Sequence, residues 1–434
     1  RSKVFRDYII KNSKKWRRNR NNSKDPNNNY VLITTIFNHH GYVTSEIVIG
    51  KNLMEIFNAG GIAILDHYNL KKILLFKSFG IDRIIIIKNF NVFVRLKYFL
   101  KAYSIIKSCK NMDEFLNFNI KNFNIGKAVY DHFLRFSGIG TTNEFKREFY
   151  AYLAKSLLIY YQLDKFFKKY KIIASVQSEK QFIPGAIFFQ TALLNGAKVY
   201  SRHGPPGGKF SVGKYNNIDE RYIIRGRPEK KLYDLIDKKI RKEAVKIGGE
   251  IIRKRFENIP EYQASAFDTA GFDVPKFAKG KKIIKIDKID ITKEELCKKL
   301  GWNPNVQIGV IYSSDLTDGV FDSSWSLFRD RLTWLRETLL EIKKNKNLNW
   351  LVKSHPNDEI NKVITSTNSE FEKICVDCNH IKLFPKNIRI SSIPKFIDLI
   401  ITQAGTAGSE YPCLGIPVIV TSQSKFTGRG FTIE

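Results

Sequence analysis

Asp398-Leu399-Ile400-Ile401-Thr402-Gln403-Ala404-Gly405-Thr406-Ala407-Gly408-Ser409-Glu410 is the stretch on which the fold turns. An apolar run, Asp398 to Thr402, breaks into small residues, continues as a helix-like segment from Ser409 to Leu414, and returns to an apolar run at Pro417 to Thr421. Strand, glycine turn, helix and strand in that order make the βαβ unit of a parallel sheet. Working outward, the same rhythm predicts strands at Val306 to Tyr312, Trp350 to Lys353 and Ile388 to Ile390, with a helix from Ser326 to Lys344. An earlier series repeats it, with predicted strands at Tyr30 to Phe37, Gly61 to Asp66, Arg83 to Lys88, Lys171 to Val176 and Lys198 to Ser201. Helical periodicity lies between them at Glu46 to Asn58, Glu148 to Tyr161, Leu163 to Tyr170 and Pro184 to Leu194. Arg83-Ile84-Ile85-Ile86-Ile87-Lys88, apolar on both faces, reads as a central parallel strand.

The expected architecture is therefore α/β, with two Rossmann-like domains facing each other across a cleft. A basic, Asn-rich leader occupies residues 1–29. An N-terminal α/β domain with helical insertions spans 30–285 and a C-terminal one spans 286–434, the boundary being set near the loop-rich passage Pro260 to Gly280. Arg1 in place of Met reads as a trimmed start.

Of the 434 residues, 73 are Lys or Arg and 42 are Asp or Glu, a net charge of +31 that attracts polyanions or acidic membrane surfaces. A nucleic-acid binder of this charge would show a compact basic helix, an aromatic platform or a finger motif, and the lysines are instead spread over both halves, so no nucleic-acid partner is expected. The most apolar long stretch, Leu70 to Leu100, is interrupted by eight charged side chains and cannot cross a bilayer. Five scattered cysteines fit a reducing compartment, and Cys375-x-x-Cys378 reads as two ordinary thiols because no second pair stands at metal-site spacing.

The loops after the strands carry the candidate chemistry, since ligands of open α/β sheets bind outside the carboxyl ends of strands. In the turn Gln403 to Glu410, Gly405 lets the backbone approach an anion while Thr406 and Ser409 open the helix, and Glu410 can accept from ribose hydroxyls. A capped helix with its glycines used for packing reads the same residues more plainly. Lys353-Ser354-His355-Pro356 ends the preceding strand, where proline holds the backbone extended and aims the imidazole into the crevice.

In the N-terminal half, Gln177-Ser178-Glu179 ends a strand, and Glu179 is the first choice for a general base. Capping or salt bridging is its other reading. Arg202 and His203 in a Gly/Pro-rich loop, His39 and His40 after the first strand, and Asp66 with His67 after the second are further acceptor-side candidates, with an ordinary connecting loop as the alternative. Asp315-Leu316-Thr317-Asp318-Gly319 would touch donor or metal, or form a solvated turn. No paired carboxylates stand at D-x-D spacing beside a strand end, so neither metal nor cofactor is expected, and Lys353, His355, Arg429 and a helix start would neutralise a phosphate.

Taken together, Lys353-Ser354-His355-Pro356, then Thr402-x-x-Gly405-Thr406-x-Gly408-x-Glu410-x-x-x-x-Gly415-x-Pro417-Val418-Ile419, then Phe426-Thr427-Gly428-Arg429-Gly430-Phe431-Thr432, resemble the carboxyl-terminal half of bacterial capsule and surface-polysaccharide glycosyltransferases of GT-B architecture. The resemblance is nearest to the capsule synthesis group that includes 3-deoxy-manno-octulosonic acid (Kdo) transferases, and covers residues 306–434. It implies that His355, Gly405 and Thr406 bind the nucleotide phosphate of an activated sugar. The expected enzyme is a bacterial transferase acting on a glycan or lipid-linked acceptor, metal-independent by the missing D-x-D spacing, with Glu179, His203 and His355 as its catalytic candidates. The basic charge would hold such an enzyme at the cytoplasmic face of the membrane. Teichoic-acid glycerophosphotransferases share a similar His-Pro and Ser/Thr arrangement, and nucleotide-sugar epimerases share the scaffold. That family continues past the position of Glu434 with a further helix, so more chain is expected there.

Overall fold

The computed structural model describes residues 2–17, 28–36, 39–87, 92–204, 210–223, 230–257, 288–321, 325–356, 358 and 363–434. Expectations at Phe37, Lys88 and Pro260 to Gly280 fall outside these residues, as do the rest of the Gly/Pro-rich loop after His203 from 205 to 209 and the expected boundary at 285/286. The described chain forms two compact units, the first from residues 2–133 and 142–223, the second from 134–141, 230–257 and 288–434.

The first unit is built on a six-stranded sheet ordered β3-β2-β1-β6-β7-β8. Its strands are β1 (Asn29–Thr35), β2 (Gly60–Leu65), β3 (Arg83–Ile86), β6 (Lys171–Gln177), β7 (Lys198–His203) and β8 (Ser211–Tyr215). All pair in parallel except β8, which runs antiparallel to β7. The two-stranded hairpin β4 (Asn119–Ile120) and β5 (Phe123–Asn124) stands apart. Strand β1 is central and its Val31, Leu32 and Ile33 are wholly buried, as the continuous apolar run requires. Helix α2 (His40–Ile56) covers it with Val43, Ile47, Leu53 and Met54, and Gly50 lets the two approach: a Cβ there would lie 2.3 Å from Ile33 Cδ1.

Two sequence expectations are corrected in this unit. Arg83 to Ile86 is the edge strand rather than a central one, and its residues are only partly covered. Its isoleucines cover the sheet margin, and Arg83 lies over the rings of Tyr30 and Tyr170 at 4.9 and 5.6 Å. Part of the supposed leader is helix α1 (Ser2–Arg17), because Ile9 and Trp16 give it an apolar side. It docks on α3 (Leu70–Ser78) through Asn12 Nδ2, which donates to Ser78 Oγ at 3.1 Å, and Trp16 reaches the Phe79 ring at 5.8 Å. Between β3 and β6 the chain inserts α4 (Val92–Ser108), α5 (Met112–Leu116), α6 (Ile125–Ser137) and α7 (Arg147–Lys169), and α8 (Gly185–Leu194) joins β6 to β7.

The second unit has a five-stranded sheet, wholly parallel, ordered β11-β10-β9-β12-β13. Its strands are β9 (Ile308–Tyr312), β10 (Asn349–Lys353), β11 (Ile381–Leu383), β12 (Leu399–Thr402) and β13 (Val418–Val420). Helices α11 (Lys293–Leu300), α12 (Arg331–Lys344), α13 (Thr367–Cys375) and the single turn α14 (Ala407–Glu410) lie between or before them. The sequence placed a strand at Ile388 to Ile390. The edge strand beside β10 is instead Ile381–Leu383, and Ile388 makes one bridge to Ile289 before a 3-10 helix, Ile390–Lys395. Helix α12 starts at Arg331 rather than Ser326 because Asp330 caps it, its Oδ1 accepting from Thr333 N at 2.8 Å.

Helices α9 (Lys230–Leu235) and α10 (Lys238–Phe256) also belong with this unit. The reason is physical: Phe256 and Ile252 pack into the core under β9 and β12, and Phe256 meets the Tyr411 ring edge-on at 5.3 Å. Residues 134–141 join it through Thr141, whose Oγ1 donates to Asp330 Oδ2 at 2.5 Å, and through Arg135. Cys375 and Cys378 are buried in the core around α12 and α13, and burial pushes the Cys375 thiol up to about 11.

Candidate functional site

In the second sheet β9 has β10 on one side and β12 on the other, so the chain reverses its direction of travel across the sheet at β9. The carboxyl ends of these strands, at Tyr312, Lys353 and Thr402, define the switch point at which open α/β sheets bind ligands. A cavity of about 510 Å³ opens there. Lys353, Ser354, His355, Gly405, Thr406 and Glu410 all line it, so two motifs some fifty residues apart meet in one place.

Each wall has a local cause. Thr402 Oγ1 donates to Tyr312 O at 3.0 Å and accepts from Gly405 N at 3.3 Å, which ties the turn to the central strand. Gly405 must lack a side chain, since a Cβ would lie 2.8 Å from that hydroxyl. Helix α14 follows, with Gly408 N donating to Gly405 O and Ser409 N to Thr406 O. The N–H groups of Thr406 and Ala407 hold the orphan positions that every helix start leaves. Gly408 serves packing instead: a Cβ there would lie 2.2 Å from the Phe426 ring. Across the cavity, Ser354 Oγ donates to Asn368 Oδ1 at 2.5 Å.

The electrostatics of the cavity are uneven. Lys353 Nζ lies over the rings of Tyr312 and Phe384 at 5.8 and 5.3 Å and has no carboxylate partner among the described residues. Burial, and secondly the charge of Lys288, hold its ammonium below the usual lysine range. Burial likewise lowers His355; Asp315 and Asp318 oppose that, while Arg331 and Lys353 add to it, so the imidazole is neutral at neutral pH. Asp315 accepts from Thr317 N and Oγ1 at 3.1 and 3.0 Å and from Arg135 Nη1 at 3.2 Å. Glu410 is paired with Arg255 Nη2 at 2.8 Å. Tyr312 and Tyr411 share a short hydroxyl–hydroxyl bond, and burial raises both phenols well above the usual range, so both stay protonated. The site therefore offers an anion the Lys353 ammonium and the Arg331 guanidinium, neither with a carboxylate partner among the described residues, a neutral imidazole and a helix start.

Three residues of the same sequence motifs do not line the cavity. Gln403 is buried, its Nε2 donating to Ser326 Oγ at 3.3 Å while its carbonyl accepts from Thr421 N and Ser422 N. Ser409 Oγ donates back to Thr406 O at 2.9 Å, and Arg429 Nη2 donates to Lys425 O at 3.3 Å. Arg255 and Arg331 line the cavity without having been singled out in the sequence. Arg255 sits in a lysine- and arginine-rich helix where nothing local marks it. Arg331 lies one residue past the Asp330 cap, and its guanidinium donates to the carbonyls of Asp315 and Gly319 at 3.0 and 3.3 Å.

In the first unit a second polar group gathers where β1, β6 and β7 end. Glu46 of α2 is wholly buried there, and burial pushes its carboxyl up to about 7 against the pull of Ser178, Thr35, Lys72 and Arg202. Lys72 is also buried and donates to Thr35 O at 3.3 Å. Arg202 is held between the rings of Tyr42 and Phe210, 4.7 Å from each, and donates to Gly204 O at 2.5 Å. Glu46, Lys72 and Tyr42 went unmarked in the sequence, although a signal existed: Glu46 falls on the apolar face of α2 among Val43, Ile47 and Gly50.

Glu179 takes the capping alternative. Its Oε1 accepts from Gln181 N at 2.6 Å and Phe182 N at 3.2 Å, closing the turn before α8. Removing this acceptor as Glu179→Ala should cost about 1 kcal/mol of stability, whereas Glu179→Gln keeps the oxygen and should fold and melt like the parent. Equal melting of all three proteins would show that the cap contributes nothing. His39 caps α2, its Nδ1 accepting from Gly41 N at 3.1 Å, and His40 meets the Phe5 ring at 5.3 Å. His203 closes the β7 pairing opposite Ser211. Asp66 and His67 pair at 2.9 Å on the wall of a separate cavity of this unit.

No family model matches this sequence, and no curated protein does. Among solved structures, the chain is similar to a β-Kdo 2,4 transferase, KpsC, of Thermosulfurimonas dismutans, at 13% identity over 60% of this chain and 73% of that one, with a TM-score of 0.34. It is also similar to a glycosyltransferase from Rickettsia africae, at 14% identity over 90% and 78% of the two chains and a TM-score of 0.21. A UDP-GlcNAc 2-epimerase of Methanocaldococcus jannaschii matches at 12% identity over 93% and 88%, with a TM-score of 0.25.

Proposed function

We propose that the chain is a glycosyltransferase whose second unit binds the phosphate of a nucleotide-activated sugar. A CMP-linked acidic sugar of the Kdo type is the favoured donor, and a surface polysaccharide or lipid-linked glycan the acceptor. The observation that carries this reading is the cavity in which Lys353, with no carboxylate partner among the described residues, stands beside His355 and the Gly405–Thr406 turn. An unneutralised cation in a partly desolvated cleft is a binding site for an anion, and its position at the sheet's switch point fits a nucleotide.

In the transfer step the acceptor hydroxyl gives up its proton to solvent as its oxygen forms a bond to the anomeric carbon, the bond from that carbon to the phosphate oxygen breaks, and the nucleotide leaves with the electron pair. Negative charge grows on the departing phosphate, so donors already aimed at that place stabilise the transition state more than the ground state. Lys353 supplies the positive charge. Neutral His355 supplies a ring N–H, and the start of α14 supplies main-chain donors. On this reading charge neutralisation comes from these groups and needs no metal ion. Acceptor recognition is assigned to the first unit, where Ser178, Arg202 and His203 stand at strand ends.

The same cavity would serve a CDP-polyol phosphotransferase, in which the bond broken is to phosphorus, or an epimerase, which alters a nucleotide sugar without an acceptor. A thermal-shift panel of CMP-, CDP-, UDP- and GDP-linked ligands tests the proposal: a cytidine ligand at about 100 times its Kd should stabilise the protein by about 2.7 kcal/mol. His355→Ala should melt as the parent does when unliganded but lose most of that shift. No shift with any of the four ligands contradicts the proposal, and an isomer formed from nucleotide sugar alone, seen by NMR, would turn it toward an epimerase.

A further inference from the structure

Helix α4 carries a row of large apolar side chains that stay exposed among the described residues, although Phe99 and Tyr103 rest in part against the Tyr150 ring of α7. Val92, Phe93, Leu96, Phe99, Leu100 and Tyr103 are all exposed, Phe93 by 78% and Val92 by 69%. At 100° per residue these six positions fall within roughly 120° of the helix circumference, a continuous stripe rather than scattered contacts. Ala102 and Ile106, on the side that adjoins the stripe beyond Phe99, are buried and anchor the helix in the fold.

The charges on the helix itself are all of one sign, although Asp66 lines the cavity beside it. Between Val92 and Ser108 there is no Asp or Glu, while Arg95, Lys97, Lys101 and Lys107 all fall in that span. Lys101 is held by Tyr161, to whose hydroxyl it donates at 2.6 Å; Arg95, Lys97 and Lys107 are exposed. The stripe also continues inward. Val92, Leu96 and Phe99 form one wall of a cavity of about 780 Å³, Ala154 and Leu158 of α7 another, and Arg95 and Lys155 line it too.

We infer that helix α4 and this cavity dock the first unit on an anionic lipid surface, with headgroup phosphates against Arg95, Lys97 and Lys155 and hydrocarbon against the stripe. The chemistry selects this occupant. Apolar side chains flanked by cations are the pattern of a helix that lies in the membrane interface. A second copy of the chain is disfavoured, because an isologous contact would set a carboxylate-free, cationic helix against itself. Among the described residues no helix is long and apolar enough to cross a membrane, so the helix lies on the surface rather than spanning it. The inference stands on α4 alone and is independent of the transferase reading.

Sedimentation of the full chain with vesicles tests it. The protein should pellet with vesicles of phosphatidylcholine and phosphatidylglycerol, remain in solution with phosphatidylcholine alone, and be partly released by high salt. The combined change Phe93→Ser, Leu96→Ser and Leu100→Ser should reduce the bound fraction at least about tenfold, with the circular-dichroism melt unchanged because all three side chains are exposed. A tryptophan introduced as Phe93→Trp should shift its emission to the blue on mixed vesicles. Undiminished binding by the triple variant, or no binding by the parent, overturns the inference. So does a dimer in solution that the same three substitutions split, which would make this face an interface between copies.

Discussion

Lys353→Met is expected to weaken binding of a nucleotide donor by roughly 10- to 150-fold, the factor that follows from losing a hydrogen bond to a charged group at about 1.5–3 kcal/mol. The unliganded protein should melt at or above the parent temperature. Lys353 bears the cost of burial without a carboxylate partner among the described residues, and the same burial holds its ammonium below the usual lysine range. A methionine fills the same space against Tyr312 and Phe384 without it. The pH dependence has a definite sign. Phosphate binding favours the charged ammonium, so affinity should hold up to the lowered lysine pKa of the free protein and fall above it, at a pH below 10.5. Isothermal titration with the parent and Lys353→Met checks both statements. Equal affinities would remove Lys353 from the site.

Glu46→Gln should make the first unit more stable, by about 3 kcal/mol above pH 8, and leave it nearly unchanged near pH 4. The argument rests on the carboxyl lying at about 7 in the folded chain against an ordinary 4.5. Between those values the folded state keeps a proton that the unfolded state has released. Stability from this group is therefore present at acid pH and declines as the pH rises through that window, reaching its full loss above 7. Glutamine has the same shape and no charge to desolvate, so it escapes the decline. Urea unfolding of parent and variant at the two pH values, followed by amide exchange in α2, measures the gap. A gap of the same size at both would mean that the carboxyl is not titrating in this window.

The rhythm of the second sheet was legible because a buried parallel strand must be apolar on both faces, and Ile308 to Tyr312 and Leu399 to Thr402 are short runs of that kind bounded by turn residues. Its glycine turn was legible for the same reason, since backbone approach leaves only small residues possible. The edge was not. Ile381-Lys382-Leu383 and Ile388-Arg389-Ile390 are both three residues long with a cation in the middle, so composition alone does not say which of them pairs with β10. Arg83 to Ile86 is as apolar as a central strand but placed at the margin, and nothing in its own residues records which neighbours it has.

The candidate site divides in the same way. Lys353, His355, Gly405 and Glu410 could be named because strand-end position is local information. Arg255 could not, since its place depends on α10 folding back onto the core of the second sheet, a contact between segments far apart in the chain. Glu179 shows that one residue can carry two readings: a carboxylate after a strand is placed for a base and equally well placed to cap the turn that follows, and its Oε1 makes that cap. Glu46 lay in plain view on an apolar helix face, where a charge is costly enough to need an explanation.

A crystal of the protein soaked with CDP or a CMP-sugar tests the central claim most directly. The account predicts phosphate density in the second unit's cavity, within about 3.5 Å of Lys353 Nζ and of the main-chain nitrogens that open α14. Ligand density elsewhere, or that cavity left empty at saturating ligand, would contradict it.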